Sequence, residues 1–259
     1  MKLATWNVNS LNVRIGHVLN WLATNPVDAL CLQETKLTDD RFPSAALEQI
    51  GYRAVFTGQK TYNGVAILSP HELHDVVRGM PDFVDEQQRV ITATIDAGTG
   101  PVRVICAYFP NGQSVESDKY RYKLDWCDAM HGHASAELAR HERVALLGDY
   151  NIAPEDRDVH DPAAWQGQVL CTDAERARFK ALTALGLVDT FRMFEQPERT
   201  FSWWDYRQLA FQKNQGLRID HILASQALAA SCTSCVIDRS TRKQTQPSDH
   251  APVVASFAP

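Results

Sequence analysis

The stretch Leu146–Pro154, LLGDYNIAP, is an apolar run that breaks abruptly into Gly148, Asp149 and Asn151. Gly, Asp and Asn are ordinary turn residues, so one reading is a chain reversal after a buried strand. The other is a strand that delivers an acid and an amide together to the lip of a sheet, where a ligand would meet them. What ends the other strands distinguishes the two.

Strand-like runs, mostly β-branched or apolar and bounded by Gly, Pro, Asn or Asp, recur at 2–8, 28–33, 52–57, 64–69, 90–96, 102–108, 144–148, 219–224 and 252–257. Helical patterns lie between some of them. Behind Ser10, a candidate N-cap, Leu11, Ile15, Val18, Leu19 and Leu22 recur at helical spacing. Residues 117–140 form a long polar-rich pattern carrying Leu124, Met130 and Leu138. Thr172 and Glu175 form a capping box, Phe179, Leu182 and Leu185 give one apolar face, and Gly186 ends that helix. This order mixes βα units with hairpin-like runs. Two mixed β-sheets packed face to face, with helices on the outer sides, absorb it. The chain also divides near its middle into two βα-rich halves, although no sequence repeat is visible at any period.

The 259 residues, 44% of them apolar, suffice for a substantial core in one α/β domain or two small ones. No segment approaches the ~18 uncharged apolar residues of a membrane span. The opening MKLATWNVNS lacks the apolar region of a signal peptide. The six cysteines include one C-x-x-C, Cys232 and Cys235, with no second pair or His set beside it, so zinc or redox use is not expected. A cytoplasmic protein with reduced thiols and no membrane partner fits this usage. The net charge of −5 argues against a nonspecific nucleic-acid coat but not against a nuclease, whose metal site needs clustered carboxylates. Three local basic groups (Lys119, Arg121 and Lys123; Arg207, Lys213 and Arg218; Arg239, Arg242 and Lys243) are either solvated faces or phosphate contacts.

Asked of every strand, the question about LLGDYNIAP acquires an answer. The first strand ends at Asn7 and Asn9, the second at Glu34, another at Tyr108, and the 144–148 run at Asp149 and Asn151. Asp220 interrupts the apolar LRIDHIL, and Ser248-Asp249-His250 precedes the last strand. One such residue is a turn, whereas six strands offering acids, amides, a phenol and an imidazole suggest a converging site. Carboxylate and amide oxygens are hard ligands suited to Mg²⁺ or Mn²⁺. A buried carboxylate needs a partner, and for Asp220 the candidates are Arg218 and His250, the latter favoured because a carboxylate holds an imidazole in its charged form. No phosphate-binding glycine loop and no G-x-S-x-G elbow is present, so nucleotide-cofactor binding and serine hydrolysis have no support.

WNVNSL (6–11), LQETK (32–36), YNGVAILS (62–69), YFPNG (108–112), GDYNIAP (148–154), GLVDTFR (186–192), FSWWDYR (201–207), GLRIDHILAS (216–225) and SDHAPV (248–253) together resemble the bacterial exonuclease III family, of the endonuclease/exonuclease/phosphatase superfamily. SDHAPV is shared across that superfamily, whereas FSWWDYR with GLRIDHILAS is more specific to its DNA-repair branch. The resemblance, from near residue 1 to near 257, implies a single catalytic domain over 1–259 with a four-layered α/β sandwich. It also implies Mg²⁺-dependent hydrolysis of duplex DNA by a monomer, 5′ to abasic sites and at 3′ ends, in base excision repair. Carried over by motif, Glu34 is the principal metal ligand, with Asn7 and Asp249 beside it and Asp149 and Asn151 adjoining. Asp149 orients or deprotonates the attacking water, Asn151 holds the scissile phosphate, His250 held by Asp220 donates to a phosphate oxygen, and Tyr108 contacts the phosphate or the leaving oxygen. Trp203, Leu217 and Ile219 match the wall of a pocket for an extrahelical abasic sugar. Trp203 and Trp204 are equally readable as core. Arg207 is a candidate for reaching into the duplex or for a surface phosphate contact. Leu217 and Asn9 depart from the vertebrate branch, which has Trp and Asp there. These departures bear on the balance between abasic-site incision and 3′-exonuclease work. The alternatives are a predominantly 3′-5′ exonuclease, another phosphodiesterase of the superfamily, or a noncatalytic DNA-binding scaffold.

Overall fold

The apolar runs become strands whose inward faces need a cover, and each sheet finds it in the other. The computed structural model describes residues 1–259. In chain order the elements are β1 (Lys2–Asn7), α1 (Leu11–Thr24), β2 (Ala29–Gln33), α2 (Ser44–Glu48), β3 (Arg53–Thr57), β4 (Val65–Ser69), β5 (His74–Arg78), β6 (Val90–Asp96), β7 (Pro101–Tyr108), α3 (Asp118–Arg140) and β8 (Val144–Asp149). There follow α4 (Pro162–Trp165), α5 (Asp173–Ala184), β9 (Leu187–Asp189), β10 (Asp220–Ser225), α6 (Gln226–Ala229), β11 (Cys232–Ile237) and β12 (Val253–Phe257).

One six-stranded sheet runs β11-β12-β1-β2-β4-β3 and the other β5-β6-β7-β8-β10-β9. In each, the third and fourth strands are parallel (β1 with β2, β7 with β8), and the other neighbours are antiparallel. Each parallel pair is bridged by one helix, α1 or α3, as a parallel crossover requires. The two sheets therefore share one strand order and one pattern of directions. Two βα-rich units are thus present in the fold, but they are not cut near the middle of the chain: the first sheet takes its strands from both ends, 2–69 and 232–257, and the second from 74–225.

Four layers result. Leu3, Cys31 and Ile67 of one sheet pack against Val104, Cys106 and Leu147 of the other in the central core. The outer face of the first sheet buries Leu30 and Leu32 against Val18 and Leu22 of α1. The outer face of the second buries Ile105 and Leu146 against Met130 of α3 and Phe179 of α5. All six cysteines are free.

Three strands, β5, β9 and β11, lie outside the sequence expectation, and all three are at sheet edges. Edge strands bury less, so HDVVR and CTSCVI carry few of the apolar residues that mark a strand. The capping box of α5 forms as expected, and Gly186 ends it at φ 97°. Ser10 does not cap α1 with its side chain. Its backbone N–H and that of Leu11 instead donate to the carbonyls of Glu34 and Thr35, at 2.7 and 3.0 Å, so the loop after β2 closes the helix end.

Each of the three basic groups has one buried member, Lys123, Arg218 or Arg242, beside more exposed ones. Lys123 is fully buried and paired with Glu175. Arg218 is buried between Asp158 and Asp189, and its Nη1 faces His221 Nδ1 at 3.0 Å. His221 Nε2 meets the Ile152 carbonyl at 2.9 Å, which suits a neutral ring protonated at Nε2. Burial first, and then the Arg218 charge, push the His221 pKa down to about 4 from 6.5. Between those values the unfolded chain binds a proton that the native chain refuses, so this contribution is complete above pH 6.5 and is lost as pH falls toward 4. The stability difference between wild type and His221→Gln should therefore shrink by about 3 kcal/mol from pH 7 to pH 4. Urea unfolding of both proteins across that range measures it, and a constant difference would refute the neutral buried ring.

Candidate active site

The parallel pairs place their C-terminal ends side by side. Asn7 ends β1 in register with Gln33, and Glu34 follows at once; Tyr108 ends β7 in register with Asp149, the last residue of β8. Gly148 belongs to β8 and not to a turn. A Cβ there would lie 1.8 Å from the Ala107 carbonyl oxygen, so only glycine permits this approach of β7 and β8. The reversal comes later, at Asn151, with φ 49°. Both readings of LLGDYNIAP thus hold, the strand for Gly148 and Asp149, the turn for Asn151.

Asn7 ties the sheets together. Its Nδ2 donates to Glu34 Oε1 and to Asp149 Oδ2, both at 2.9 Å, while its Oδ1 accepts from the Asn9 N–H. Asp149 also accepts from the backbone N–H of Asn151 at 2.9 Å and from Asn151 Nδ2 at 3.3 Å. Asn151 is held in turn by the Phe109 carbonyl and by Asn111 Nδ2. Burial raises Asp149 to about 7, against the lowering pull of His250. Ligand atoms of Glu34, Asp149 and His250 lie within 4.8 Å of one another. A buried acid whose charge is that costly, beside a second carboxylate, is a donor set that a divalent cation would fit.

Of the two partners open to Asp220, His250 is the one observed: His250 Nδ1 lies 2.9 and 3.1 Å from the two carboxylate oxygens. Its Nε2 faces Asp149 Oδ2 at 3.7 Å. Burial opposes the imidazolium, but Asp220 and Asp149 outweigh it and raise the pKa to about 10, so the ring is charged at neutral pH. Burial, and then the charges of Glu34 and Asp149, hold the Tyr108 hydroxyl well above its ordinary value, so it remains a donor. Arg89 stacks on the Tyr108 ring at 4.8 Å.

The remaining expected residues frame this centre. Asp249 accepts from Asn9 Nδ2 and Trp203 Nε1, both at 3.0 Å, and stands outside the Glu34, Asp149 and His250 group. Asn9 Oδ1 accepts from Lys36, which also pairs with Glu34 at 2.8 Å. Trp203 bridges to both Leu217 and His250, while Trp204 is core. At Gly216 a Cβ would fall 2.6 Å from Trp204 Nε1, which explains the glycine. Leu217 and Ile219 are 0% and 1% exposed and pack with Val159, Leu170 and Cys171. Arg207 is largely exposed and gripped by Asp205.

Lys123 was readable only as surface, yet its Nζ donates to the backbone carbonyls of Asn151 and Asn111, at 2.7 and 3.2 Å, and to Glu175. It thereby fixes the turn that carries Asn151. The signal was its spacing: Tyr120, Lys123, Cys127, Met130 and Ala134 share the buried face of α3.

Residues 4–250 match the model of the endonuclease/exonuclease/phosphatase family. The chain is 35% identical to exodeoxyribonuclease III of Haemophilus influenzae, over 99% of its own length and 100% of that protein's. Among solved structures, the 3′ phosphatase NExo from Neisseria, bound to a product DNA hairpin, superposes with a TM-score of 0.96 at 47% identity, covering 100% of this chain and 99% of that one. An AP endonuclease from Archaeoglobus fulgidus superposes with a TM-score of 0.94 at 38% identity, with full coverage of both. The fold, the strand-end acids and these likenesses agree: the chain belongs to the endonuclease/exonuclease/phosphatase family, as an exonuclease III-type member.

Proposed function

We propose that residues 1–259 form one catalytic domain, a monomeric, cytoplasmic, metal-dependent DNA-repair phosphodiesterase of base excision repair that acts 5′ to abasic sites and at 3′ ends of duplex DNA. The observation that carries this is the meeting of Glu34 and Asp149 through Asn7, opposite a charged His250 held by Asp220. A complete site within one chain supports the monomer; six free cysteines support the compartment. No helix is long and apolar enough to cross a membrane.

Glu34 and Asp149 would hold the divalent cation, Mg²⁺ or Mn²⁺, with oxygens of Asn7, Asn151 and Asp249 as further ligands. When bound, the cation supplies positive charge against the phosphoryl oxygens. The chain does the rest. Asp149, with a proton affinity near neutrality, orients the attacking water and takes its proton. Asn151, held by Phe109 and Asn111 and by Lys123 beneath, would donate to the scissile phosphate in place of its long 3.3 Å bond to Asp149. His250 presents a cationic N–H to a phosphate oxygen, and Asp220 keeps it charged and aimed. Tyr108, held protonated, donates to the phosphate or the leaving oxygen.

One observation favours a second reading, in which 3′-end processing dominates over abasic incision. Leu217 and Ile219, at the wall positions for an extrahelical sugar, are covered by Val159, Leu170 and Cys171, and only Trp203 retains exposure. The Neisseria relatives at 47% and 48% identity are described as a 3′ phosphatase and a 3′-5′ exonuclease.

Labelled duplexes, one with an internal abasic analogue and one with a recessed 3′ end, should both be cut only with Mg²⁺ or Mn²⁺ present, and chelation should abolish both activities. Incision confined to the 3′ end would select the second reading, and absence of cleavage on either substrate would overturn the proposal. Asp149→Asn and Glu34→Ala should each reduce kcat by about 10²–10⁴-fold with an unchanged circular dichroism spectrum. Asp220→Asn should cost about 10²-fold in kcat with little change in KM, because the donor remains but its charge is no longer enforced.

A further inference from the structure

Beside the Ser248–His250 turn lies a second feature that none of these roles uses. An open hollow of about 900 Å³ is lined by Tyr206, Phe211, Arg239, Arg242, Lys243 and Pro247, among others. Arg239 lies over the rings of Trp204 and Phe211, at 5.2 and 5.4 Å, and Arg242 over those of Phe211 and Tyr206, at 5.1 and 5.6 Å. A guanidinium held over a ring face by the ring's charge distribution still has N–H groups to offer a phosphate. Neither arginine has a salt-bridge partner, and the Nε of each is buried without an acceptor. Arg242 spends one N–H on the Ser248 carbonyl, and exposed Lys243 pairs with no acid. The acid at the rim, Asp205, is neutralised by Arg207. Asp249, the acid whose charge bears on Arg242, is taken by Asn9 and Trp203. Three cations thus crowd one concave wall in a chain of net charge −5, two of them preorganised on aromatic rings.

We propose that this hollow is a phosphate-ester site, in which Arg239, Arg242 and Lys243 hold a backbone phosphate of the nucleic acid that continues past the reaction centre. The direction follows from adjacency. Tyr206 donates to the Pro247 carbonyl at 2.8 Å, so a strand leaving the centre beyond Asn9 and Asp249 meets the hollow next. The choice of a DNA strand as the source rests on the function proposed above; a free nucleotide would present the same phosphate ester.

The test uses the full chain carrying Asp149→Asn, in Mg²⁺, so that DNA binds without being cut. To this are added Arg239→Gln with Lys243→Gln, and separately Lys243→Glu at an exposed position, each checked for fold by circular dichroism. Arg242 is left intact because it holds the Ser248 carbonyl. Fluorescence anisotropy on a recessed duplex should show affinity falling roughly tenfold for the double variant, with the slope of log affinity against log salt falling by about 1 per lost contact. Calorimetry with deoxyadenosine 5′-monophosphate reads the other source. Loss of mononucleotide binding with unchanged duplex binding assigns the site to free nucleotides. Unchanged binding of both ligands in all variants overturns the proposal. If the parent protein binds mononucleotide but no duplex, and the Arg239 and Lys243 variants lose that binding, the phosphate-ester site stands and it is the DNA reading that fails; mononucleotide binding unchanged in the variants places it elsewhere and overturns the proposal.

Discussion

A single amide holds the two halves of the molecule in working relation. Asn7 Nδ2 sits between Glu34, which follows the neighbouring strand of its own sheet, and Asp149, which ends a strand of the other. Two carboxylates brought this close repel each other and lose hydration, a cost that shared donors offset only in part. The surrounding architecture meets that constraint. The parallel pairs set the heights of the strand ends, Gly148 lets β8 approach β7, and Ser248 Oγ ties the last turn to the Asn7 carbonyl at 2.6 Å.

The same balance recurs at each buried charge near the centre. His250 is charged because two acids outweigh its burial, while His221, one residue after Asp220, is neutral because burial and Arg218 act together. Two imidazoles on adjacent elements thus carry opposite protonation, and each choice follows from its nearest ion. Lys123 and Glu175 extend this logic outward: a pair with no solvent exposure tolerates its desolvation only because the backbone carbonyls of Asn151 and Asn111 and the N–H groups of Leu170 and Thr172 complete its hydrogen bonds. A buried ion pair of this kind contributes placement of the Asn151 turn more than stability.

Much of this was legible beforehand, for a physical reason. Central strands are apolar on both faces, so ALCLQ and VALLGD announce themselves, and a polar residue at the end of such a run is conspicuous. Asn7, Glu34, Tyr108 and Asp149 stand out in that way, Asp220 as an acid inside an apolar run and His250 as the imidazole just ahead of the last strand. Edge strands such as HDVVR bury too little to leave a pattern. Lys123 was hidden because a lysine in a polar helix looks solvated until its spacing against Tyr120 and Cys127 is considered. That Leu217 would be covered by Val159, Leu170 and Cys171 depends on how a distant loop folds over it, which no local pattern encodes.

The pairing of β1 with β12 also governs when the centre can exist during synthesis. Asn7 and Glu34 leave the ribosome early, Asp149 is 142 residues behind Asn7, and the Trp6 indole bonds the carbonyl of His250, 244 residues away. At roughly 5–20 residues per second, on the order of 10–40 s separates the first acid from the imidazole. Throughout that interval β1 lacks one neighbour and Asp149 lacks its cationic counterpart. A nascent chain therefore carries strand-end acids with no competent geometry, and competence arrives as a single late event when the last strand closes the first sheet.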